Sequence, residues 1–127
     1  MAYLDAAWLA APRDALAEAA AAAGVDVCLA RAVSGAPDGE ARYTARVAGG
    51  SVQYEAGLAE DADVTLTDTY AGATAQVRGE LGPNASFMQG RTKVVGHTGR
   101  WLAVLAATGT DAYESARAEV AGLAGLA

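Results

Sequence analysis

Cysteine, histidine, basic residues and long apolar runs are all scarce in this 127-residue chain, and each shortage closes off a class of function. The single cysteine, Cys28, cannot close an internal disulfide, so a reduced, buried thiol is expected. With only one histidine, His97, beside it, the chain lacks the ligands of an ordinary zinc site. Nine Lys and Arg stand against fifteen Asp and Glu, a net charge of −6. That field repels phosphate backbones, which excludes nucleic acid as a natural partner and limits contact with anionic membranes to brief encounters. No window approaches the roughly 18 consecutive apolar residues of a membrane-spanning helix, and the N-terminus has no basic stretch followed by an apolar one. A cytoplasmic location is expected. The chain also lacks a Gly-x-Ser-x-Gly elbow, a dinucleotide fingerprint and a phosphate-binding P-loop. Glu60-Asp61-Ala62-Asp63 is without the Gly and terminal Glu of a calcium loop and reads as a solvated turn.

What is present is apolar: 53% hydrophobic residues against 19% charged, the balance of a folded protein. The length fits one domain over residues 1–127, able to bury roughly two-thirds of its unfolded surface. Aromatic residues make up only 6%, which gives Trp8, Tyr43, Tyr54, Tyr70, Phe87, Trp101 and Tyr113 more weight than their number suggests.

Residues 4–23 read as helix in two pieces, the second started by Pro12, whose missing N–H costs nothing in a first turn. Gly24 ends it. From Val25 the period changes to two: Val27, Leu29 and Val33 on one side, Asp26, Cys28, Ala30 and Ala32 on the other. Pro37-Asp38-Gly39 turns the chain into a second strand whose Arg42, Thr44 and Arg46 mark a wet face. Gly49-Gly50 suits a tight hairpin into a third strand carrying Val52, Tyr54 and Ala56. A fourth strand follows at residues 64–67, with Asp68 placed to cap a helix through Tyr70, Ala73 and Val77. Gly82-Pro83 opens a short helix with Phe87 and Met88, closed by Gly90. Residues 91–95 form a fifth strand, broken by Gly96. Helices at 99–107 and 111–123 complete the chain, the last opened by an Asp111-x-x-Glu114 capping-box pattern.

Residues 85–106 place a short helix and an amphipathic helix on either side of one strand, a layout suited to a concavity between helices and sheet. By periodicity alone, Phe87, Met88, Trp101, Leu102 and Leu105 read more readily as a solid core than as a pocket wall. The order of Asp63-Val64-Thr65-Leu66-Thr67, Gly79-Glu80-Leu81, Pro83-Asn84, Ala85-Ser86-Phe87-Met88-Gln89-Gly90 and Lys93-Val94-Val95-Gly96 resembles the signature of the sterol carrier protein type 2 family, and the first half resembles its small stand-alone bacterial members. The resemblance implies an α/β (α+β) fold: a five-stranded, largely antiparallel twisted sheet with helices on one face, enclosing an apolar tunnel. It implies non-catalytic intracellular binding and transfer of fatty acyl chains, sterol-like molecules or other hydrophobic metabolites, without a cofactor. Phe87, Met88 and Gln89 would face the ligand, and Gln89 could hydrogen-bond a ligand oxygen. Trp101, Leu102, Leu105 and Val94 would contribute to the wall, with Tyr70, Val77 and Leu81 suggested by helix-face geometry. Family members usually have Asn or Asp, often then Met, where this chain has His97-Thr98, and a small or aliphatic residue near Trp101. That tryptophan would narrow or block one end of the tunnel, which makes a slim acyl-like ligand at least as good a fit as a sterol. Peroxisomal members often end in a Ser-Lys-Leu-like signal, and Gly125-Leu126-Ala127 does not match it.

Three other functions fit the same scaffold: proton transfer by His97 on a metabolite held in the cavity, docking of a partner's helix in an apolar groove, and a purely structural role. Against the first, His97 sits at a helix start, where a polar side chain caps the backbone.

Overall fold

In the computed structural model, which describes residues 2–126, five strands form one mixed sheet in the order β3-β2-β1-β4-β5. The strands are β1 (Val27–Ala36), β2 (Gly39–Ala48), β3 (Ser51–Ala56), β4 (Val64–Thr69) and β5 (Lys93–Gly96). Neighbours run antiparallel except β1 and β4, which are parallel. The sheet is therefore mostly antiparallel, as expected. Gly49 and Gly50 both take the positive φ that a two-residue hairpin turn matching strand twist requires.

Helices α1 (Ala6–Ala10), α2 (Ala15–Ala22), α3 (Tyr70–Val77), α4 (Pro83–Met88), α5 (Thr98–Ala107) and α6 (Asp111–Leu123) gather on one face. Register explains why. Val27, Leu29 and Val33 of β1 align with Val47, Ala45 and Ala41 of β2, and Val64 and Leu66 of β4 lie beside Leu29 and Arg31. These positions make one continuous apolar surface. Toward one end it packs against Leu16, Ala20, Trp101 and Val104; toward the other, against Trp8, Ala73, Val77 and Val120. Many contacts are made by alanine, which lets α2 sit close to the sheet.

Four local expectations are corrected. Pro12 does not start the second helix: Asp14 does, accepting from the N–H groups of Leu16 (2.8 Å) and Ala17 (3.3 Å). Asp68 is not a cap but a buried residue of β4, which runs on to Thr69; the Thr69 hydroxyl caps α3. Thr110, not Asp111, caps α6, and Glu114 pairs with Arg117 instead of closing a capping box. Thr44 is outward-facing yet fully buried, because residues 57–63 cross the outer face between β3 and β4. Its hydroxyl donates to the Gly57 carbonyl (2.8 Å) and accepts from the Ala59 N–H (2.9 Å). Arg46 clasps Glu55 and Asp61, and the Asp63 N–H donates to the Cys28 carbonyl, so the crossing is pinned along its length.

At the end of β5, Gly96 meets the backbone of Asp63 so closely that a Cβ would overlap the carbonyl oxygen, and its φ of 130° suits glycine alone. This approach sets where α5 begins. There His97 accepts the Arg100 N–H on Nδ1 at 3.1 Å. No described helix is long and apolar enough to cross a membrane.

Candidate ligand-binding site

The segment singled out in the sequence comes together around Trp101. Its indole is buried on the inner face, with Val64, Leu66 and Val104 in the same cluster and Phe87, Val94 and Leu105 packed against it. Phe87 meets it edge-on, ring centroids 5.6 Å apart, the arrangement that aromatic quadrupoles favour. The apolar surface does not stop there. Met88, one residue beyond Phe87, is 74% exposed; Leu102, one beyond Trp101, is 54% exposed. On α5, Leu105 and Leu102 extend the buried Trp101–Val104 stripe round the helix into solvent. Such a shoulder leaves large apolar groups in water on both helices that flank β5.

One polar feature lies inside it. The Trp101 Nε1–H is buried and has no acceptor among the described residues. A buried donor left unpaired costs about 1–3 kcal/mol, so it is a standing demand for an oxygen.

The other expected residues are distributed differently. Gln89 is exposed at the C-terminus of α4, its side-chain amide making no hydrogen bond among the described residues. Val77 is buried and Tyr70 half-buried at the opposite end of the inner face, where Tyr70 approaches Tyr3 at 6.1 Å between centroids. Leu81 is half-buried in the turn before α4. The candidates thus fall into two groups, and only Phe87, Met88, Val94, Trp101, Leu102 and Leu105 share one locality.

Between the groups stands a buried polar network that the sequence reading missed. Arg31 points inward from the middle of β1, its Nη1 2.9 Å from Asp14 Oδ2. Its Nε lies 3.1 Å from Asp68 Oδ2 but out of line, so that contact is an ion pair without a hydrogen bond. Burial opposes the charge, yet the carboxylates of Asp14 and Asp68 outweigh it and push ionisation of Arg31 well above its ordinary range. Tyr43 donates to Asp14; burial first, then the charge of Asp14, pushes its phenol well above the usual value. Asp68 Oδ1 accepts from Thr92 (2.6 Å) and Gln76 (3.3 Å), and Thr92 meets Ser86 at 2.7 Å. Since Ser86 precedes Phe87, this chain ties α3, β4 and β5 to the helix that carries the apolar shoulder. The clue was spacing: Arg31 lies two residues from Leu29 and two from Val33, on their side of the strand.

Little open space lies beside this network. The cavity beside Arg31, lined in part by Asp14, Gln76 and Tyr113, measures about 20 Å³, room for one water. Cys28 faces the other side of the sheet, and burial raises its thiol pKa, keeping it protonated at neutral pH. Among the described residues, no three His, Cys, Asp or Glu side chains gather as a metal site. His97 is exposed, its Nδ1 committed to the α5 cap, with no described carboxylate orienting its ring.

Comparison with solved structures shows which fold this is. A conserved hypothetical protein of Thermus thermophilus superposes with a TM-score of 0.65 at 24% identity, over 94% of this chain and 90% of the other. A crystal structure of sterol carrier protein 2 superposes at 0.61 with 22% identity, over 91% and 98%. The fold is that of the sterol carrier proteins. Palmitated sterol carrier protein 2-like 2 of Aedes aegypti also matches this sterol-carrier fold, at 0.52 and 18% identity over 68% of this chain and 83% of that one. No protein-family model and no curated sequence matches the chain. The likeness thus lies in the course of the backbone.

Proposed function

We propose that this protein is a non-catalytic carrier of lipidic molecules, binding an acyl chain in an apolar tunnel reached between α4 and α5. The observation that carries the reading is the exposed shoulder of Met88 and Leu102, each next in sequence to one member of the edge-on pair of half-buried Phe87 and buried Trp101, on a sterol-carrier fold. The same fold holds palmitate in the mosquito protein. Occupancy requires the Phe87 and Leu105 side chains to move aside from Trp101, opening a slot along the inner face. Both are only half-buried, which keeps the cost of that movement low. Each methylene taken from water contributes up to about 0.8 kcal/mol, offset by ordering costs, which gives useful affinity with little selectivity and permits release.

The unpaired Trp101 Nε1–H favours an amphiphile with an acceptor oxygen over a plain hydrocarbon. Trp101 also fills the slot from behind, which favours a slim acyl chain over a sterol.

The test is titration with a fluorescent fatty acid. The wild type should bind and release it to unlabelled palmitate. A Met88→Glu/Leu102→Glu variant, altered only at exposed positions and therefore folded, should lose at least tenfold in affinity. Equal binding by both proteins would refute this location, and no binding by either would refute the carrier function.

A further inference from the structure

The basic residues of this acidic protein are not evenly neutralised. Six of the nine, Arg13, Arg31, Arg42, Arg46, Arg100 and Arg117, form ion pairs with carboxylates. Arg78, Arg91 and Lys93 have no carboxylate partner among the described residues. Two of those three, Arg91 and Lys93, line one cleft of about 370 Å³ on the outer face of the sheet, whose lining includes none of the apolar shoulder residues.

Register places its other groups. Lys93 pairs with Thr67 and Ser34 with Thr69 across the sheet, so all four side chains project outward at the corner where β1, β4 and β5 meet. Three hydroxyls thereby stand beside the two cations. Gly90 forms the remaining wall, and a Cβ there would lie 3.7 Å from Lys93 Nζ, so the ammonium sits over bare backbone. The one carboxylate residue on the lining, Asp68, is 3% exposed, and its oxygens are spent inward on Arg31, Thr92 and Gln76. The cleft therefore presents positive charge and hydroxyl donors with no exposed negative charge, on a molecule whose net charge is −6.

We propose that this cleft is a binding site for a phosphate group. Arg91 supplies a planar fork that can hold two phosphate oxygens, Lys93 a compact charge, and Thr67, Thr69 and Ser34 short hydroxyl donors. The phosphate could belong to a free phosphorylated small molecule or to a phospholipid headgroup; both offer the same oxygens. The site stands whether or not the apolar shoulder binds an acyl chain.

The experiment is an amide NMR titration of the wild-type protein with inorganic phosphate at low salt, beside an Arg91→Glu/Lys93→Glu variant and an Arg78→Glu control. All three substitutions are at exposed positions, and thermal unfolding by circular dichroism checks that each protein folds. Phosphate should shift the amides of Thr67, Thr69, Gly90 and Lys93 in the wild type and the control, with affinity at least tenfold weaker in the double variant. Co-sedimentation with vesicles of phosphatidylcholine, with and without phosphatidic acid, separates the sources. Capture by phosphatidic acid alone, competed by phosphate, assigns a headgroup; phosphate binding without vesicle capture assigns a soluble ligand. Absence of both, or binding equal in wild type and double variant, overturns the proposal.

Discussion

Replacing Arg31 with Met removes the one cation holding two buried carboxylates together. Arg31, Asp14 and Asp68 are each less than 8% exposed, with charged atoms 2.9 and 3.1 Å apart. At an effective dielectric of about 20, each contact at such a distance is worth about 5 kcal/mol of Coulomb attraction, much of it offset by desolvation of the guanidinium. The net loss on removing one partner of a buried pair is about 3–5 kcal/mol. Asp14 keeps Tyr43 and its helix-capping bonds, and Asp68 keeps Thr92 and Gln76, which holds the loss to that range instead of a larger one. Against a typical total stability of about 5–15 kcal/mol, the variant should unfold at much lower urea concentration, read by the fluorescence of Trp8 packed on Tyr43. A rescue is also expected. Arg31→Met/Asp14→Asn/Asp68→Asn carries no buried charge and should recover at least half the loss. A loss below about 1 kcal/mol, or a triple variant no more stable than the single one, would refute the claim that uncompensated charge is what matters.

Further predictions follow from the same structure. Thr44→Val removes the hydroxyl bridging Gly57 and Ala59 and should cost about 1–3 kcal/mol; hydrogen exchange should quicken at Ala59 and the rest of the 57–63 crossing. Gly96→Ala forces a Cβ into the Asp63 backbone and should cost at least about 2 kcal/mol, seen in urea unfolding, with β5 displaced in its crystal structure. Burial pushes the Tyr113 phenol up to about 12, and Tyr3, Tyr43 and Tyr54 are raised further. Because the folded values lie above the unfolded one near 10, the stabilisation is complete below pH 10 and falls as pH rises from there toward the folded values. Absorbance titration should show these phenolates appearing together with alkaline unfolding; their ionisation near pH 10 in the folded protein would contradict the burial. Trp101→Phe keeps the bulk but deletes the unpaired N–H, so palmitate should bind more weakly while a hydrocarbon of the same length does not.

The strands were readable because of their period of two: in β1 the bulky Val27, Leu29 and Val33 alternate with the smaller Cys28, Ala30 and Ala32, although both of its faces are buried, and in β2 Arg42 and Arg46 mark the outer side. Helix starts were less so. Asp68 and Thr69 are both capable caps for α3, and the choice between them depends on Arg31, a partner from a distant part of the chain that draws Asp68 into the core. The burial of Thr44 was hidden for a similar reason, since it depends on where the 57–63 crossing runs. In the candidate site, Phe87, Trp101 and Leu105 were recognisable by helical spacing and do meet. The separation of Tyr70 and Val77 from them was not, because helix-face geometry says which side of α3 is apolar but not which end of the sheet it covers. The pairing of Arg91 and Lys93 with three hydroxyls required the register of β4 on β5 and on β1.

The most direct test of the carrier function is native mass spectrometry of the purified protein, followed by organic extraction and identification of whatever small molecule accompanies it. The account predicts a stoichiometric acyl lipid bearing an acceptor oxygen, lost from the Met88→Glu/Leu102→Glu variant. A protein that emerges empty, and stays empty after incubation with palmitate, would contradict it.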